Sequence, residues 1–158
     1  MIEEAIRRIE LTKKEQLHYL DLSGLGLDTI PKEVLEVPWI GALSLSNNNL
    51  TDISMLSKMP QLHKLAVSNN LLEDVDVLGS LPKLRFIFLA HNKITNINQM
   101  RGQTRLKKLV LADNKMTSLP DLREFTLLAY LDIRDNPLEA PALEKMQSDL
   151  PLLKIYKC

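Results

Sequence analysis

Three polar side chains at related positions could form a Ser-His-Asp set, whose chemistry is acyl transfer. Ser68, His91 and Asp113 each lie near the end of a strand-like segment, in successive copies of one repeated pattern. A nucleophilic serine also needs a strained strand-to-helix turn and backbone donors for the oxyanion. The segment around Ser68 has no glycine-rich turn of that kind. A Ser-His-Asp hydrolase is therefore a remote alternative, and we assign no catalytic residue.

Metal and redox chemistry have little support in the sequence. His18 and His63 occupy equivalent positions two copies apart, too far to share one ion when neighbouring strands are about 4.8 Å apart. No C-x-x-C, H-E-x-x-H or EF-hand spacing occurs, so we expect no metal and no cofactor. Cys158 is the single cysteine, which excludes an intrachain disulfide and suits a reducing compartment. We therefore expect a cytoplasmic protein, or a secreted effector that acts in a reducing intracellular compartment.

Asparagine recurs every 22 residues, and this period explains why polar residues fall into rows. Each copy follows the pattern Leu-x-x-Leu-x-Leu-x-x-Asn-x-Leu, with other apolar residues as substitutes for leucine. The five positions are Asn48, Asn70, Asn92, Asn114 and Asn136. One strand per copy at this period predicts a solenoid whose coils bury apolar residues only by stacking. The asparagine amides are predicted to form a ladder that satisfies backbone groups of adjacent coils.

The chain is predicted to form one domain, residues 1–158, with a cap at each end. The parts are a capping helix at 1–16, six repeats at 17–138, and a C-terminal cap with a degenerate strand at 139–158. Ile2, Ile6 and Ile9 recur at helical spacing with Ala5 beside them, so they are expected to cover the first coil. The alternative is that this amphipathic helix binds a partner. Its lack of a long apolar run argues against a signal peptide and a membrane anchor.

The repeats resemble the leucine-rich repeat family, in particular the 22-residue class found in internalins and in a regulatory subunit of protein phosphatase. The opening helix followed by LDLSGLGLDTIP also resembles the entry to the repeat arrays of Roco-type GTPases, although no GxxxxGK[ST] phosphate loop is present. The first copy departs from the family because Leu25 stands where asparagine is expected. The resemblance implies an α/β solenoid, a right-handed horseshoe with a parallel concave β-sheet, that binds another protein on the concave face.

The alternation of each strand predicts which side chains face outward on that sheet. Two phenylalanines, Phe86 and Phe88, share one strand and are expected to join Val110 and Tyr130 in an apolar patch that is typical of a binding interface. The alternative is that these rings only pack on one another across the strands. The predicted partner-binding residues are Phe86, Phe88, Val110, Tyr130, Lys64, Lys108, Asp132 and Arg134.

Charge narrows the class of partner. Twenty basic and twenty acidic residues give zero net charge, which disfavours nucleic acid and anionic membranes. Lys64, Arg85 and Lys107 near the strand starts oppose Asp113 and Asp135 at the strand ends, so a partner of matching polarity would be oriented. Basic side chains beside phenylalanines could also suit single-stranded nucleic acid.

The sequence thus predicts a non-enzymatic protein-protein interaction module, monomeric when alone. The alternative is a substrate-recognition or regulatory subunit of a larger enzyme complex. Trp39, at the entry to the second strand, is predicted to be partly exposed. It either packs against the N-terminal helix or forms a second anchor for a partner.

Overall fold

The computed structural model is a single open sheet of seven parallel strands, arranged in the order in which they occur along the chain. It describes residues 1–150, 153 and 155–157. The strands are β1 (Tyr19–Asp21), β2 (Ala42–Ser44), β3 (Lys64–Ala66), β4 (Phe86–Phe88), β5 (Lys108–Val110), β6 (Tyr130–Asp132) and β7 (Ile155–Lys157). The predicted last strand, 153–158, therefore includes β7, while Cys158 lies outside the described residues. The parallel order follows from the repeat, because each copy supplies one strand and returns by a separate turn.

The core is a column of aliphatic side chains from the inward strand positions. The central residues of β1 to β6 are all buried, and so are the apolar residues two positions further along. The central residues are Leu20, Leu43, Leu65, Ile87, Leu109 and Leu131. A substitution at any of these sites removes contacts within its own coil and with both neighbouring coils, so the column binds the coils together.

The asparagine amides connect each coil to the one before it. The side-chain nitrogen of Asn92 donates to the carbonyl oxygens of Val67 in the preceding coil and Leu89 in its own, at 3.0 and 3.1 Å. Its side-chain oxygen accepts from the backbone N–H of Leu72 at 3.0 Å. The same geometry occurs at Asn48, Asn70, Asn114 and Asn136. The first coil has Leu25 in place of a ladder asparagine. There, the side-chain oxygen of Asn48, in the next coil, accepts hydrogen bonds from the backbone N–H groups of both Leu25 and Leu27.

The residue before each ladder asparagine has a left-handed backbone conformation. The positions are Asn47, Asn69, His91, Asp113 and Asp135, with φ values of 59°, 56°, 56°, 53° and 57°. Asparagine, aspartate and histidine tolerate positive φ better than most residues with a side chain. Backbone conformation therefore accounts for the row of polar residues at the strand ends.

Short 3-10 turns return the chain on the opposite side of the solenoid. They span Lys32–Glu36, Ser54–Lys58, Asp76–Ser80 and Asn98–Met100. Two successive turns approach so closely at Gly79 that a Cβ atom would overlap the carbonyl oxygen of Gln99. After the last of these turns, the buried Gln103 donates to the carbonyl oxygens of Leu78 and Leu81 at 2.8 and 3.2 Å. It is a second polar link between coils.

Helix α1, Ile2–Lys14, covers the first coil with a different face from the one predicted. Ala5, Ile9 and Thr12 are buried, whereas Ile2 is 49% exposed and Ile6 is half-buried. The stripe at positions i, i+4 and i+7 includes small residues, which allow the helix to lie close to the coil. The buried face shares Ala5 and Ile9 with the predicted one, but it extends to Thr12 and leaves Ile2 exposed.

The remaining cap elements lie at the two ends of the sheet. Trp39 is half-buried against the core, and its indole N–H donates to the carbonyl oxygen of Leu17 at 3.0 Å. At the other end, helix α2 spans Ala140–Asp149 within the predicted C-terminal cap. No helix in the described part of the chain has the length and apolar character needed to cross a membrane.

Candidate protein-binding surface

The strand register arranges the solvent-facing residues of the concave face in two rows. The first row runs through Tyr19, Ala42, Lys64, Phe86, Lys108 and Tyr130, and the second through Asp21, Ser44, Ala66, Phe88, Val110 and Asp132. Because parallel strands repeat these positions without slippage, residues 22 apart in sequence become direct neighbours. Seven of the eight predicted partner-binding residues lie in these rows, and Arg134 follows β6.

The predicted aromatic patch is present but is interrupted by charge. Phe86 and Phe88 on β4 are half-buried, as are Val110 and Tyr130. In register, Phe86 lies between Lys64 and Lys108, while Phe88 lies between Ala66 and Val110. Lys108 therefore separates Phe86 from Tyr130 in the first row, whereas Phe88 and Val110 are direct neighbours in the second.

Both lysines lie over aromatic rings. The Lys108 ammonium nitrogen is 4.2 Å from the centroid of the Tyr130 ring and 5.4 Å from that of Phe88. The Lys64 nitrogen is 6.0 Å from the Phe88 centroid. The attraction between a cation and the face of a ring contributes roughly 0.5–1 kcal/mol at exposed sites. We call Lys64, Phe86, Phe88, Lys108 and Tyr130 the lysine–aromatic cluster.

Asp132 has the outward register position that was predicted, but the prediction that it is accessible to a partner is wrong. The residue is only 3% exposed, because Arg134 donates to its two carboxylate oxygens at 2.9 and 2.8 Å and β7 pairs beside it. These hydrogen bonds are the main reason why the pKa of Arg134 is raised. Arg134 itself is exposed. A partner at this end of the sheet would therefore contact the guanidinium of Arg134 rather than the carboxylate of Asp132.

A groove of about 350 Å³ lies over β1 to β3, outside the region singled out from the sequence. It is lined by Tyr19 and Asp21 on one side, Lys64 and Ala66 on the other, and Ala42 and Ser44 between them. Tyr19 is 60% exposed, which is high for an aromatic residue. The sequence feature that could have predicted this groove is the run of small outward residues on β2 and β3, between the aromatic residues of β1 and β4. Larger side chains at these positions would fill the space.

Asp21 fixes a negative charge at the β1 end of this groove. Burial acts to raise its pKa, but hydrogen bonds from the hydroxyl and backbone N–H of Ser23, at 2.6 and 2.9 Å, act together with the Arg8 charge and the Ser44 hydroxyl to hold the pKa below its ordinary value. The other end carries Lys64. The groove therefore has a negative charge at its β1 end and a positive charge at its β3 end.

The two rims of the sheet carry opposite charges, as the residue types suggest. Arg85 and Lys107 are exposed at the strand starts, while Asp113 and Asp135 are exposed at the strand ends. Among the described residues, the ion pairs involve neither Arg85 nor Lys107. These basic groups are available to a partner.

The Ser-His-Asp alternative is only partly assembled. His91 Nδ1 is 2.7 Å from the Asp113 carboxylate, and both side chains are more than half exposed. No hydrogen bond links the Ser68 hydroxyl to His91, although both residues lie within the described range. The left-handed backbone at both His91 and Asp113 explains their presence without catalysis. Within the described residues, the pair lacks a positioned nucleophile.

The histidines at the strand starts do not form part of a metal cluster. His18 and His63 are exposed. Within the described residues, no group of three or more His, Cys, Asp or Glu side chains is arranged to hold a metal ion.

The comparisons with known proteins agree on the fold. Residues 42–80 match the family model of leucine-rich repeats, in two copies. Similar solved structures include a leucine-rich repeat protein of Leptospira interrogans (TM-score 0.86, 25% identity, 95% of this chain and 39% of that one). An internalin and internalin C2, both of Listeria monocytogenes, give TM-scores of 0.82 and 0.79 at 22% identity. The matches cover 94% and 87% of this chain. They correspond to 45% of the first internalin chain and 59% of internalin C2. No curated protein sequence matches the chain.

Proposed function

We propose that this chain, which folds as a leucine-rich repeat solenoid, is a non-enzymatic interaction module that binds a protein partner on its concave face. The observation that carries the proposal is the concentration of partly exposed aromatic side chains in two register rows beside an open groove. Leucine-rich repeat proteins typically act as interaction modules, and this likeness supports the same general role here.

The chemistry of the surface also favours binding over catalysis. Tyrosine and phenylalanine bury large areas on binding at low cost in side-chain entropy, so they often dominate the energy of protein interfaces. Tyr19, Phe88 and Tyr130 are spread over six strands, a width suited to a protein segment rather than to a small substrate. The opposite charges on the two rims would orient a partner and speed its association.

Affinity capture with matched variants tests the proposal. The wild-type chain, the Phe86→Ala/Phe88→Ala variant and the Leu71→Ala/Leu127→Ala variant are each used to capture proteins from a cell extract. The control removes two apolar side chains, 40% and 53% exposed, that lie outside the concave rows. Quantitative mass spectrometry should show a protein retained by the wild type and the control and lost with the phenylalanine variant. Equal retention by all three chains, each shown to be folded by circular dichroism, would place the binding site elsewhere.

A further inference from the structure

We propose that the partner segment is acidic, with a carboxylate that binds between Lys64 and Lys108 and a neighbouring apolar side chain that fills the groove over β1 to β3. This inference rests on the proposed function and names the chemistry of the partner. It commits to a protein segment in which an Asp or Glu residue is close to an apolar residue.

The first argument is the convergence of two cations on one ring. Lys64 and Lys108 project from the strands on either side of β4, and their ammonium nitrogens lie 6.0 and 5.4 Å from the Phe88 centroid. The two positive charges near this half-buried ring repel each other. An anion between them would be attracted to both charges.

The second argument is that no carboxylate in the described part of the chain fills this role. Lys13, Lys14 and Lys145 each pair with a carboxylate, but no ion pair in the described part of the chain involves Lys64 or Lys108. Asp132, the nearest acidic residue in register, is buried and bound to Arg134. Arg85 and Lys107, exposed at the adjacent strand starts, extend the positive region.

The groove supplies the apolar half of the site. Lys64 belongs both to the groove lining and to the lysine–aromatic cluster, so an apolar side chain over Ala42 and Ala66 would lie next to the bound carboxylate. Asp21 at the far end of the groove disfavours a second acidic group there. The order of the partner's residues is therefore set by the polarity of the groove.

A single-stranded nucleic acid fits this surface less well. Stacking of a base needs an accessible ring face, and lysines lie over both Phe88 and Tyr130. The exposed Asp113 and Asp135 on the opposite rim would repel a long polyanion. An isolated carboxylate in a peptide meets neither obstacle.

Peptide selection tests the inference without a known partner. Random peptides displayed on phage are selected on the folded wild-type chain, and enriched peptides are labelled for fluorescence anisotropy. Dissociation constants are then measured for the wild type, Lys64→Gln/Lys108→Gln and Ala42→Phe. A matched control, Lys32→Gln/Lys58→Gln, removes two exposed charges from the 3-10 turns.

We expect enriched peptides that combine Asp or Glu with an apolar residue. Loss of Lys64 and Lys108 should weaken their binding by about ten-fold or more, whereas the control should change it by less than about two-fold. Ala42→Phe fills the groove without changing charge and should also weaken binding. Higher salt should weaken the wild type but have little effect on the Lys64→Gln/Lys108→Gln variant.

Three outcomes would overturn the inference. These are enriched peptides without acidic residues, acidic peptides bound equally by the Lys64→Gln/Lys108→Gln variant, and no enrichment on the wild type. If a mixed-sequence oligonucleotide bound more tightly than the peptides and depended on the same lysines, the ligand of this surface would be a nucleic acid rather than a peptide. None of these outcomes decides the broader proposal, which depends on the capture experiment with the phenylalanine variant.

Discussion

The side-chain nitrogen of Asn92 lies 3.0 Å from the carbonyl oxygen of Val67, a residue of the preceding coil. Because Asn92 is buried, this bond and its equivalents satisfy backbone groups that water cannot reach. The relationship makes each ladder asparagine a link between coils rather than a feature of one turn.

Asn92→Ala should therefore lower the free energy of unfolding by about 1–3 kcal/mol, since it leaves the buried N–H of Leu72 unpaired. It also removes one of the two amide donors to each of the carbonyl oxygens of Val67 and Leu89, which Asn70 and Asn114 continue to serve. Urea denaturation measures this change. Asn98→Ala, at an exposed site in a 3-10 turn, is the control and should be close to neutral. Equal midpoints for the two variants would contradict the ladder's role in stability.

Gly79→Ala should destabilise the chain by about 1–3 kcal/mol, because the added methyl group would overlap the carbonyl oxygen of Gln99 in the next turn. Gly24→Ala is an informative comparison, since its Cβ would meet no atom within 4 Å and only the positive φ of 69° opposes it. Thermal unfolding of both variants separates steric overlap from backbone strain. A Gly79→Ala chain as stable as the wild type would show that these turns can move apart freely.

Trp39→Phe should cost about 0.5–1.5 kcal/mol of unfolding free energy, because it removes the indole hydrogen bond to the Leu17 carbonyl oxygen. Tyr19→Phe removes a polar group from an aromatic residue that is 60% exposed, and it should have little effect. Chemical denaturation of the two variants makes the comparison. Similar losses in both would indicate that the contact with Leu17 does not stabilise the N-terminal end.

The carboxyl group of Glu4 should titrate with a pKa of about 2, lowered from 4.5 chiefly by hydrogen bonds from Arg7 and then Arg8. Because the folded-state pKa is depressed, this group's contribution to stability is present above pH 4.5 and is lost as the pH falls towards 2. Carboxyl chemical shifts followed by NMR measure the pKa. Arg7→Gln/Arg8→Gln should raise it towards 4.5, whereas Lys13→Gln, which removes the partner of Glu36, should leave it unchanged.

The solenoid and its strand register could be predicted from the sequence because both follow from one exact period. Once Asn48 and its equivalents align the copies, alternation decides which strand residues face inward, and the buried leucines at positions 43 and 65 confirm it. The structural similarity to known leucine-rich repeat proteins confirms the predicted fold.

Details that depend on three-dimensional neighbours could not be predicted in this way. The burial of Asp132 requires Arg134 to fold back over it and a further strand to pair beside it. The positions of Lys64 and Lys108 over Phe88 depend on side-chain torsions rather than on strand alternation. The groove beside Tyr19 exists because the neighbouring side chains of Ala42, Ser44 and Ala66 are small. A sequence pattern identifies these residues but does not describe the space between them.

The hydrogen bonds between strands and along the asparagine ladder run from coil to coil, parallel to the long axis of the solenoid. A force that pulls the two ends apart would thus load the interfaces between coils in series, so the weakest interface would open first. Each coil of 22 residues would add roughly 75 Å of extended chain when it opened. Under tension, the molecule would lengthen in steps while the unopened coils stayed folded. It would then behave as an extensible tether.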